Sequence, residues 1–540
     1  MAVLEKYNDT LENGPRFGGV RRITARAWIF LIVVALLAPI WTVRYPPIVD
    51  YPNHLASAFV LAHLNDPSFH FSSFYAADWN ANPYLAMDVI LVGLQRLMPI
   101  EIAGRVLLSL CVLVVPAAAW FFLRRANPRE QGCPSFRESL GTHRPGGRGA
   151  GTHESLALWS LAITQNLYFF LWGMLNLQLS LALCLLVLGV WLQYLERPRF
   201  TSWCLLLVMT TALYFTHLMG FGIAGWVMTA YAVFAPSRAQ AGRTGSLQLS
   251  QSLPGLPGVW RPRRRLRNIF FSWMLFVPGA LFFFHSTMPQ ANSGWASVFR
   301  WSSKLPGLAV AVTSGISPAY DFITAAILLA AVAAACIDNP DFGCNYRWLG
   351  VAASLFALYW ILPARLGPGI NADRRLIPFV FVLLLPAIRL GRRERLVAVM
   401  AILLFALRAS EVEHHFVSAQ RESARLAHAF SVIPDGARVL PLGTPSEHMQ
   451  HFWAYGVVQR GWLSPCLFQN RGVQPLRTLA EGDAACTPIV NSSAAPFEGK
   501  NLRRVFDYVW AYKVPELSLS LAALGKVVYQ SRDLVVCQLN

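Results

Sequence analysis

An aspartate stands just beyond the first long apolar run of the sequence. Asp50 opens the motif DYPNH, which ends at His54, and an amphipathic stretch over 52–64 follows it. This stretch is too short to cross a bilayer and is expected to lie along the membrane surface. A carboxylate held at that surface is suited to general-base chemistry, in which it takes the proton of an acceptor hydroxyl group.

A group of arginines late in the chain supplies the opposite charge. Arg374 and Arg375 are adjacent just before an apolar run, and Arg365 precedes them on the same side of the membrane. Arginines are disfavoured on the outer face of a membrane protein, so their presence there needs a reason. The guanidinium group matches the geometry of phosphate, and the pattern therefore predicts a site for the phosphate of a lipid carrier.

The composition places these residues in a membrane protein. Of the 540 residues, 55% are hydrophobic and only 14% are charged, and the mean hydropathy is +0.42. Soluble domains carry about 25% charged residues, so the composition excludes a purely soluble enzyme, a disordered chain and a nucleic-acid-binding module. The net charge of +18 comes mainly from short basic segments between apolar runs, where Lys and Arg determine topology.

Eleven apolar runs are predicted to cross the membrane, each close to the length that a spanning helix needs. They lie near 27–43, 101–123, 155–172, 174–194, 201–217, 219–235, 269–286, 318–336, 347–363, 376–390 and 395–408. With the N-terminus inside, the cytoplasmic segments hold 25 Lys and Arg residues and the outer loops hold 7. The positive-inside rule therefore predicts a cytoplasmic N-terminus.

Three parts of the chain follow from this topology. Residues 1–26 form a cytoplasmic segment, 27–408 a transmembrane domain with a long outer loop over 44–100, and 409–540 a small extracytoplasmic α/β domain. The fold class is thus an α-helical polytopic membrane protein with about 11 transmembrane helices and a C-terminal α/β domain. In that compartment Cys466 and Cys486 form a disulfide or remain free thiols, and the sequence leaves both open.

The layout resembles the GT-C superfamily of membrane glycosyltransferases, which use polyprenyl-phosphate sugars. The resemblance depends on the acidic residue soon after the first span, on the juxtamembrane helices behind it, on the run 373–378 (DRRLIP) and on the outer C-terminal domain. Several of these families have a second acidic residue directly after the first, where this chain has Tyr51. The DYPNH motif, with the Asn166, Gly173 and Asn176 group and the Thr216-His217 pair, is more similar to an uncharacterised bacterial branch.

The resemblance implies a glycosyltransferase of the bacterial inner membrane with its C-terminal domain in the periplasm. Asp50 would be the general base, and the configuration at the anomeric carbon would be inverted in a single displacement. Arg374 and Arg375, with Arg365, would bind the departing phosphate, and His54, Asp78 and His217 would position the substrates. The implied partners are a polyprenyl-phosphate sugar, the bilayer and an acceptor glycan, lipid or protein.

Other interpretations stay open at this stage. Asp50 could be only a helix N-cap, and Arg374 and Arg375 could extend to lipid headgroups. His217 lies in an apolar run, where an interhelical hydrogen bond explains it equally well. The alternative functions are a transporter or flippase of lipid-linked glycans, although no internal repeat is found, and a non-catalytic scaffold of a polysaccharide assembly system. No dedicated metal site is predicted, but one aspartate with substrate phosphate could hold Mg²⁺ weakly.

Overall fold

The structure is a computed structural model of the chain, and its helices dominate the fold. It describes residues 18–126, 152–164, 168–234, 262–287, 297–298, 301–311, 313–337, 343–366, 369–443, 447–469, 472–479, 502–512 and 525–539. Several features considered in the sequence lie outside these ranges: Asn166, Cys486, most of the loop 124–154, the loop 236–258 and the helix expected over 517–524.

The helices, labelled in chain order, are α1 Gly18–Thr42, α2 Tyr51–Ala62, α3 Ala86–Leu94, α4 Ile100–Ala126, α5 Thr152–Ala157, α6 Tyr168–Leu171, α7 Leu175–Glu196, α8 Phe200–Thr216, α9 Leu218–Val233, α10 Pro262–Met274, α11 Val277–His285, α12 Lys304–Leu308, α13 Pro318–Cys336, α14 Tyr346–Ile361, α15 Ile377–Leu384, α16 Glu394–His428, α17 Tyr455–Arg460 and α18 Leu502–Val505. The strands are β1 Tyr75–Ala77, β2 Ser297–Val298, β3 Gly343–Cys344, β4 Arg365–Leu366, β5 Gly369–Ile370, β6 Ile388–Arg389, β7 Val439–Leu442, β8 Leu476–Thr478, β9 Tyr508–Tyr512, β10 Gly525–Gln530 and β11 Leu534–Leu539.

The helical membrane class predicted from the sequence is confirmed. Among the described residues, α4, α7 and α13 are long and apolar enough to cross a bilayer, and shorter apolar helices include α8 and α9. Large hydrophobic side chains point outward on α1 and α13, among them Phe30, Phe322 and Leu329. Such exposed apolar surface suits contact with lipid.

Individual spans differ from the prediction in two ways. The run 376–390 is helical only over α15, and a 3-10 turn at Leu385–Ala387 follows it, because Pro386 cannot continue the backbone hydrogen bonding. The run 395–408 and the start of the C-terminal part, where the sequence pattern over 411–430 predicts a separate helix, are one 35-residue helix, α16. The boundary placed at 408/409 therefore lies inside a helix.

Buried ion pairs explain why α16 continues past Arg408. The Nη1 atom of Arg408 lies 2.8 Å from Oδ1 of Asp321 and 2.7 Å from Oε2 of Glu411. Ser314 Oγ donates to the other oxygen of Glu411, at 2.9 Å. A charged residue that ends an apolar run in the sequence is thus neutralised inside the fold and does not mark the end of the helix.

The C-terminal region contains the small sheet that the sequence predicted. Its strand order is β10-β11-β9-β7, in which β7 is parallel to β9 and the other pairs are antiparallel. An aromatic cluster connects the sheet to the end of α16, since the ring of Phe430 lies 5.2 Å from that of Trp510 and 5.4 Å from that of Trp462. Cys466 is disulfide-bonded.

The segment 44–100 is joined to the C-terminal region by pairing and by buried hydrogen bonds. Strand β1 pairs antiparallel with β8, with Tyr75 opposite Thr478. Asn53, fully buried on α2, donates to the carbonyl of Cys466 at 3.2 Å and accepts from the amide of Phe468 at 2.8 Å. This segment is therefore held between the helical bundle and the C-terminal region.

A fully buried ion pair fixes the turn that precedes α15. Lys304 Nζ lies 2.8 Å from Oδ2 of Asp373, and neither side chain is exposed. The same ammonium donates to the carbonyl of Tyr359 at 2.8 Å, and Asp373 Oδ1 accepts from the amide of Arg374 at 2.8 Å. The pair thereby sets the backbone that carries the two adjacent arginines.

Replacing Lys304 with Met is expected to destabilise the protein strongly. Removing one partner leaves Asp373 charged and buried, at a cost of about 3–5 kcal/mol, whereas loss of an exposed pair costs at most about 1 kcal/mol. The exposed pair Arg438–Asp507 provides the control, through Arg438→Met. Thermal unfolding in detergent gives the melting temperatures of both variants. Equal decreases would contradict the stabilising role of the buried Lys304–Asp373 pair.

Candidate active site

Asp50 occupies the N-cap position of α2, but its carboxylate does not cap the helix. The side chain makes no capping hydrogen bond, and Pro52, near the helix start, has no amide hydrogen to offer. Instead, Oδ1 of Asp50 lies 3.5 Å from Nε2 of His451. The N-cap interpretation therefore does not account for this carboxylate.

A glycine positions the Asp50 backbone. Gly173 has φ +84°, a conformation that favours glycine, and a Cβ atom built there would lie 2.8 Å from both Cβ and N of Asp50. The amides of Val49 and Asp50 donate to the carbonyls of Leu171 and Trp172, at 2.9 and 3.2 Å. The segment before α2 is thus held against the chain that enters α7.

One cavity of about 670 Å³ brings several of the predicted residues together. Asp50, His54, His217 and Arg375 all line it, although they come from distant parts of the sequence. Asn176 at the start of α7 also lines it, and its side chain donates to the carbonyl of Tyr84 at 2.8 Å. A carboxylate and a guanidinium group therefore line the same cavity.

The cationic end of the cavity is formed by Arg375 and His217. Arg375 Nη1 lies 3.2 Å from Nε2 of His217, and Nδ1 of this imidazole accepts from the amide of Met219 at 3.0 Å. Because Nδ1 accepts this hydrogen bond, a neutral ring carries its proton on Nε2, and the contact with Arg375 brings two N–H groups together at the cavity wall. The Nε atom of Arg375 is buried and has no hydrogen-bond partner among the described residues. A buried guanidinium with an unused donor is suited to an anionic ligand.

Tyr84 completes this end of the cavity. Its ring meets that of His217 edge-on at 4.6 Å, and its backbone has φ 75°, which is rare for a bulky residue. Such conformations are often found at ligand-binding sites. Tyr84 could not be predicted from the sequence, because no neighbouring residue type indicates a left-handed backbone conformation at a tyrosine.

The other predicted site residues lie elsewhere. Arg374 is not among the cavity-lining residues, and its side chain lies 3.3 Å from the position of a Cβ on Gly307. Arg365 is exposed in β4, which pairs with β2 and β5. Asp78 faces Arg477, with 3.4 Å between Oδ2 and Nη2, beside the β1–β8 pairing. The structure therefore does not bring these three to the cavity.

The C-terminal region supplies a wall that the sequence did not predict. Its cavity-lining residues are Gln450, His451, Phe468, Val473 and Gln474. The Phe468 ring lies 5.1 Å from the rings of both His54 and His451. Burial lowers the pKa of His54 to about 4, against the effect of the negative charge on Asp50. His54 is therefore neutral at neutral pH.

An apolar groove continues from the cavity. It has a volume of about 700 Å³ and follows α9 between α10, α11 and α14. Gly222 and Trp226 line both spaces, and the groove beyond them is formed largely by hydrophobic side chains such as Phe276 and Val233. A cavity that contains a few charged groups and has an apolar extension suits a ligand with a charged head and a hydrocarbon tail.

The described residues do not gather a metal-binding group. Within them, no three His, Cys, Asp or Glu side chains lie close enough to hold an ion. Among the residues that line the cavity, Asp50 is the one carboxylate. Mg²⁺ prefers several oxygen ligands, so a cation here would depend on oxygens from the substrate.

Comparison with known proteins gives a likeness of fold. No family model and no curated protein sequence matches the chain. Crystal structures of ArnT from Cupriavidus metallidurans do match, with 13% identity and a TM-score of 0.49 for the form bound to undecaprenyl phosphate, and 14% and 0.42 for the apo form. Both alignments cover 95% of this chain and 98% of the other.

Replacing Gly173 with Ala is expected to displace Asp50 and destabilise the protein. The methyl group would meet backbone as well as side-chain atoms, in a conformation that costs an L-residue about 1–2 kcal/mol before any clash is counted. Gly93→Ala is the matched control, because a Cβ at Gly93 meets nothing within 4 Å. A melting temperature lowered in the first variant and unchanged in the second would support this role, and equal values would refute it.

Proposed function

We propose that the protein is a membrane glycosyltransferase that transfers a sugar from a polyprenyl-phosphate donor to a hydroxyl acceptor. The observation that carries the proposal is the cavity that Asp50 and Arg375 share, with its apolar extension along α9. A general base, an anion-binding group and a hydrocarbon groove are the three features that such a reaction needs.

The donor is proposed to bind with its phosphate at Arg375 and His217. The guanidinium group of Arg375 lines the cavity and supplies charged N–H donors for phosphate oxygens. The polyprenyl tail would leave past Gly222 and Trp226 into the apolar groove. The sugar would then lie in the cavity near Asp50.

The reaction is proposed to be a single displacement with inversion at the anomeric carbon. Asp50 takes the proton of the acceptor hydroxyl as its oxygen forms the new bond to the sugar, and the bond between the sugar and the phosphate oxygen breaks. The electron pair of that bond stays on the phosphate, and Arg375 stabilises its negative charge. Fixed opposite charges at the two ends of the cavity would lower the energy of this charge-separated transition state.

The acceptor is proposed to enter along the wall formed by the C-terminal region. Gln450 and Gln474 offer amide groups for hydrogen bonds to hydroxyls, and Phe468 offers an aromatic face. A glycan, a lipid or a protein carrying such a hydroxyl remains the proposed class.

We propose that the protein lies in a bacterial inner membrane, as the GT-C resemblance of the sequence implies. The charge distribution of the loops favours an inside N-terminus, with this wall on the periplasmic side. A weakly held Mg²⁺ on Asp50 and the donor phosphate remains part of this proposal.

Asp50→Asn is expected to abolish most sugar transfer. General-base catalysis contributes about 10²–10⁴-fold, and an amide cannot take a proton. Labelled polyprenyl-phosphate sugars supplied to native membranes, followed by separation of labelled products, measure the loss. Wild-type membranes that transfer nothing from any donor would contradict the proposed function and favour a transporter or scaffold.

The arginine pair provides an internal control for the donor site. Arg375→Ala is expected to lower kcat/KM for the donor by about 10- to 100-fold, because it removes a charged hydrogen-bond donor from the cavity. Arg374→Ala should change it by no more than about twofold, since Arg374 packs outside the cavity. Equal effects of the two substitutions would contradict this placement of the phosphate.

Gly222→Leu is expected to discriminate between donors by tail length. The added side chain would narrow the passage between the cavity and the apolar groove. We expect KM to rise about tenfold for long-chain polyprenyl donors and much less for short-chain analogues, which corresponds to about 1.4 kcal/mol of lost binding. Gly93→Leu, on an exposed position of α3, is the control. An equal rise for both chain lengths would place the tail elsewhere.

A further inference from the structure

His451 approaches Asp50 from the opposite end of the sequence. Its Nε2 atom lies 3.5 Å from Oδ1 of Asp50, and the two side chains are 16% and 22% exposed. Both residues line the cavity. An imidazole therefore lies beside the proposed general base, and it takes no direct part in the proposed displacement.

The backbone around His451 is well fixed. The residue precedes a 3-10 turn at Phe452–Ala454, and its carbonyl accepts from the amide of Ala454 at 3.0 Å. Phe452 is buried against Tyr45 and Phe430, with ring separations of 5.3 and 5.6 Å. The position of this imidazole is thus set by packing between the C-terminal region and the start of segment 44–100.

The other titratable groups around the cavity have different surroundings. The groups that line it with His451 are Asp50, His54, Tyr84, His217 and Arg375. His54 is buried and neutral, as described above, and His217 is engaged with Arg375 and the Met219 amide. On its own segment His451 follows His448, whose ring lies 4.7 Å from that of His415. Of the three imidazoles in the cavity, His451 is the one within reach of the Asp50 carboxylate.

We infer that His451 is a positioning residue that acts through Asp50 by receiving the proton that Asp50 takes from the acceptor. This rests on the proposed function. When the acceptor hydroxyl attacks, its proton passes to Asp50, and the protonated carboxyl then gives it to Nε2 of neutral His451, which becomes imidazolium. The carboxylate is thereby regenerated, and His451 returns the proton to solvent.

The transfer is downhill for the groups involved. An imidazole is a stronger base than a carboxylate, so a proton that Asp50 has taken passes readily to a neutral imidazole beside it. A side chain without a basic nitrogen cannot take over this step, whereas free imidazole can.

The test is kcat for sugar transfer by the full-length protein in native membranes. We expect His451→Gln to lower kcat about 10- to 100-fold and to leave KM for the donor within about twofold. In His451→Ala, added imidazole should restore part of the lost rate. His414→Gln, at an exposed position of α16 outside the cavity, is the control and should keep the wild-type rate.

The outcomes separate this inference from the proposed function. If the wild type transfers no sugar, the proposed function is wrong and the role of His451 falls with it. If the wild type transfers sugar and His451→Gln keeps its rate, only the inference is wrong. A low rate that imidazole does not restore in His451→Ala also overturns it, because a merely structural role would give that result.

Discussion

The close approach between the Asp50 backbone and Gly173 is the contact on which the site depends. Two backbone hydrogen bonds join the segment before α2 to the chain entering α7, and the missing side chain of Gly173 allows the approach. Because α7 is largely buried within the bundle, the carboxylate is held against a well-packed helix. The direction of α2, and hence the position of His54, follows from the same contact.

The buried charges of the molecule differ in whether an opposite charge neutralises them. Lys304 with Asp373, and Arg408 with Asp321 and Glu411, are buried ion pairs that organise turns and helices. Arg375 differs from them, since it lies against an imidazole, and its buried Nε atom has no hydrogen-bond partner among the described residues. A buried cation without a carboxylate partner is costly, and the protein retains it where the cavity is open to a ligand.

The sequence predicted some of these features because they are local. Asp50 and His54 are four residues apart, which places both on one face of a helix. The helical class and the C-terminal strands followed from hydrophobic patterning. The sequence could not show which of Arg374 and Arg375 reaches the cavity. The directions of these adjacent side chains depend on how the turn before α15 is anchored, and Lys304 anchors it through Asp373.

Residues contributed by long-range packing could not be predicted in this way. His451 and Phe468 have ordinary sequence surroundings, and only the docking of the C-terminal region brings them to Asp50. Likewise, Arg408 ended an apolar run in the sequence, whereas buried acids allow α16 to continue through it. Asp78, which the sequence placed near the substrate, is explained by its surface partner Arg477.

The pairing of β1 with β8 has a consequence for how the protein is made. Tyr75 and its partner Thr478 are separated by roughly 400 residues, which a ribosome adds over about 20–80 s. During that interval segment 44–100 has reached the membrane without its partner strand, and the wall beside Asp50 does not yet exist. The nascent chain therefore completes its substrate cavity only near the end of translation, and an interrupted chain carries the carboxylate without the enclosure around it.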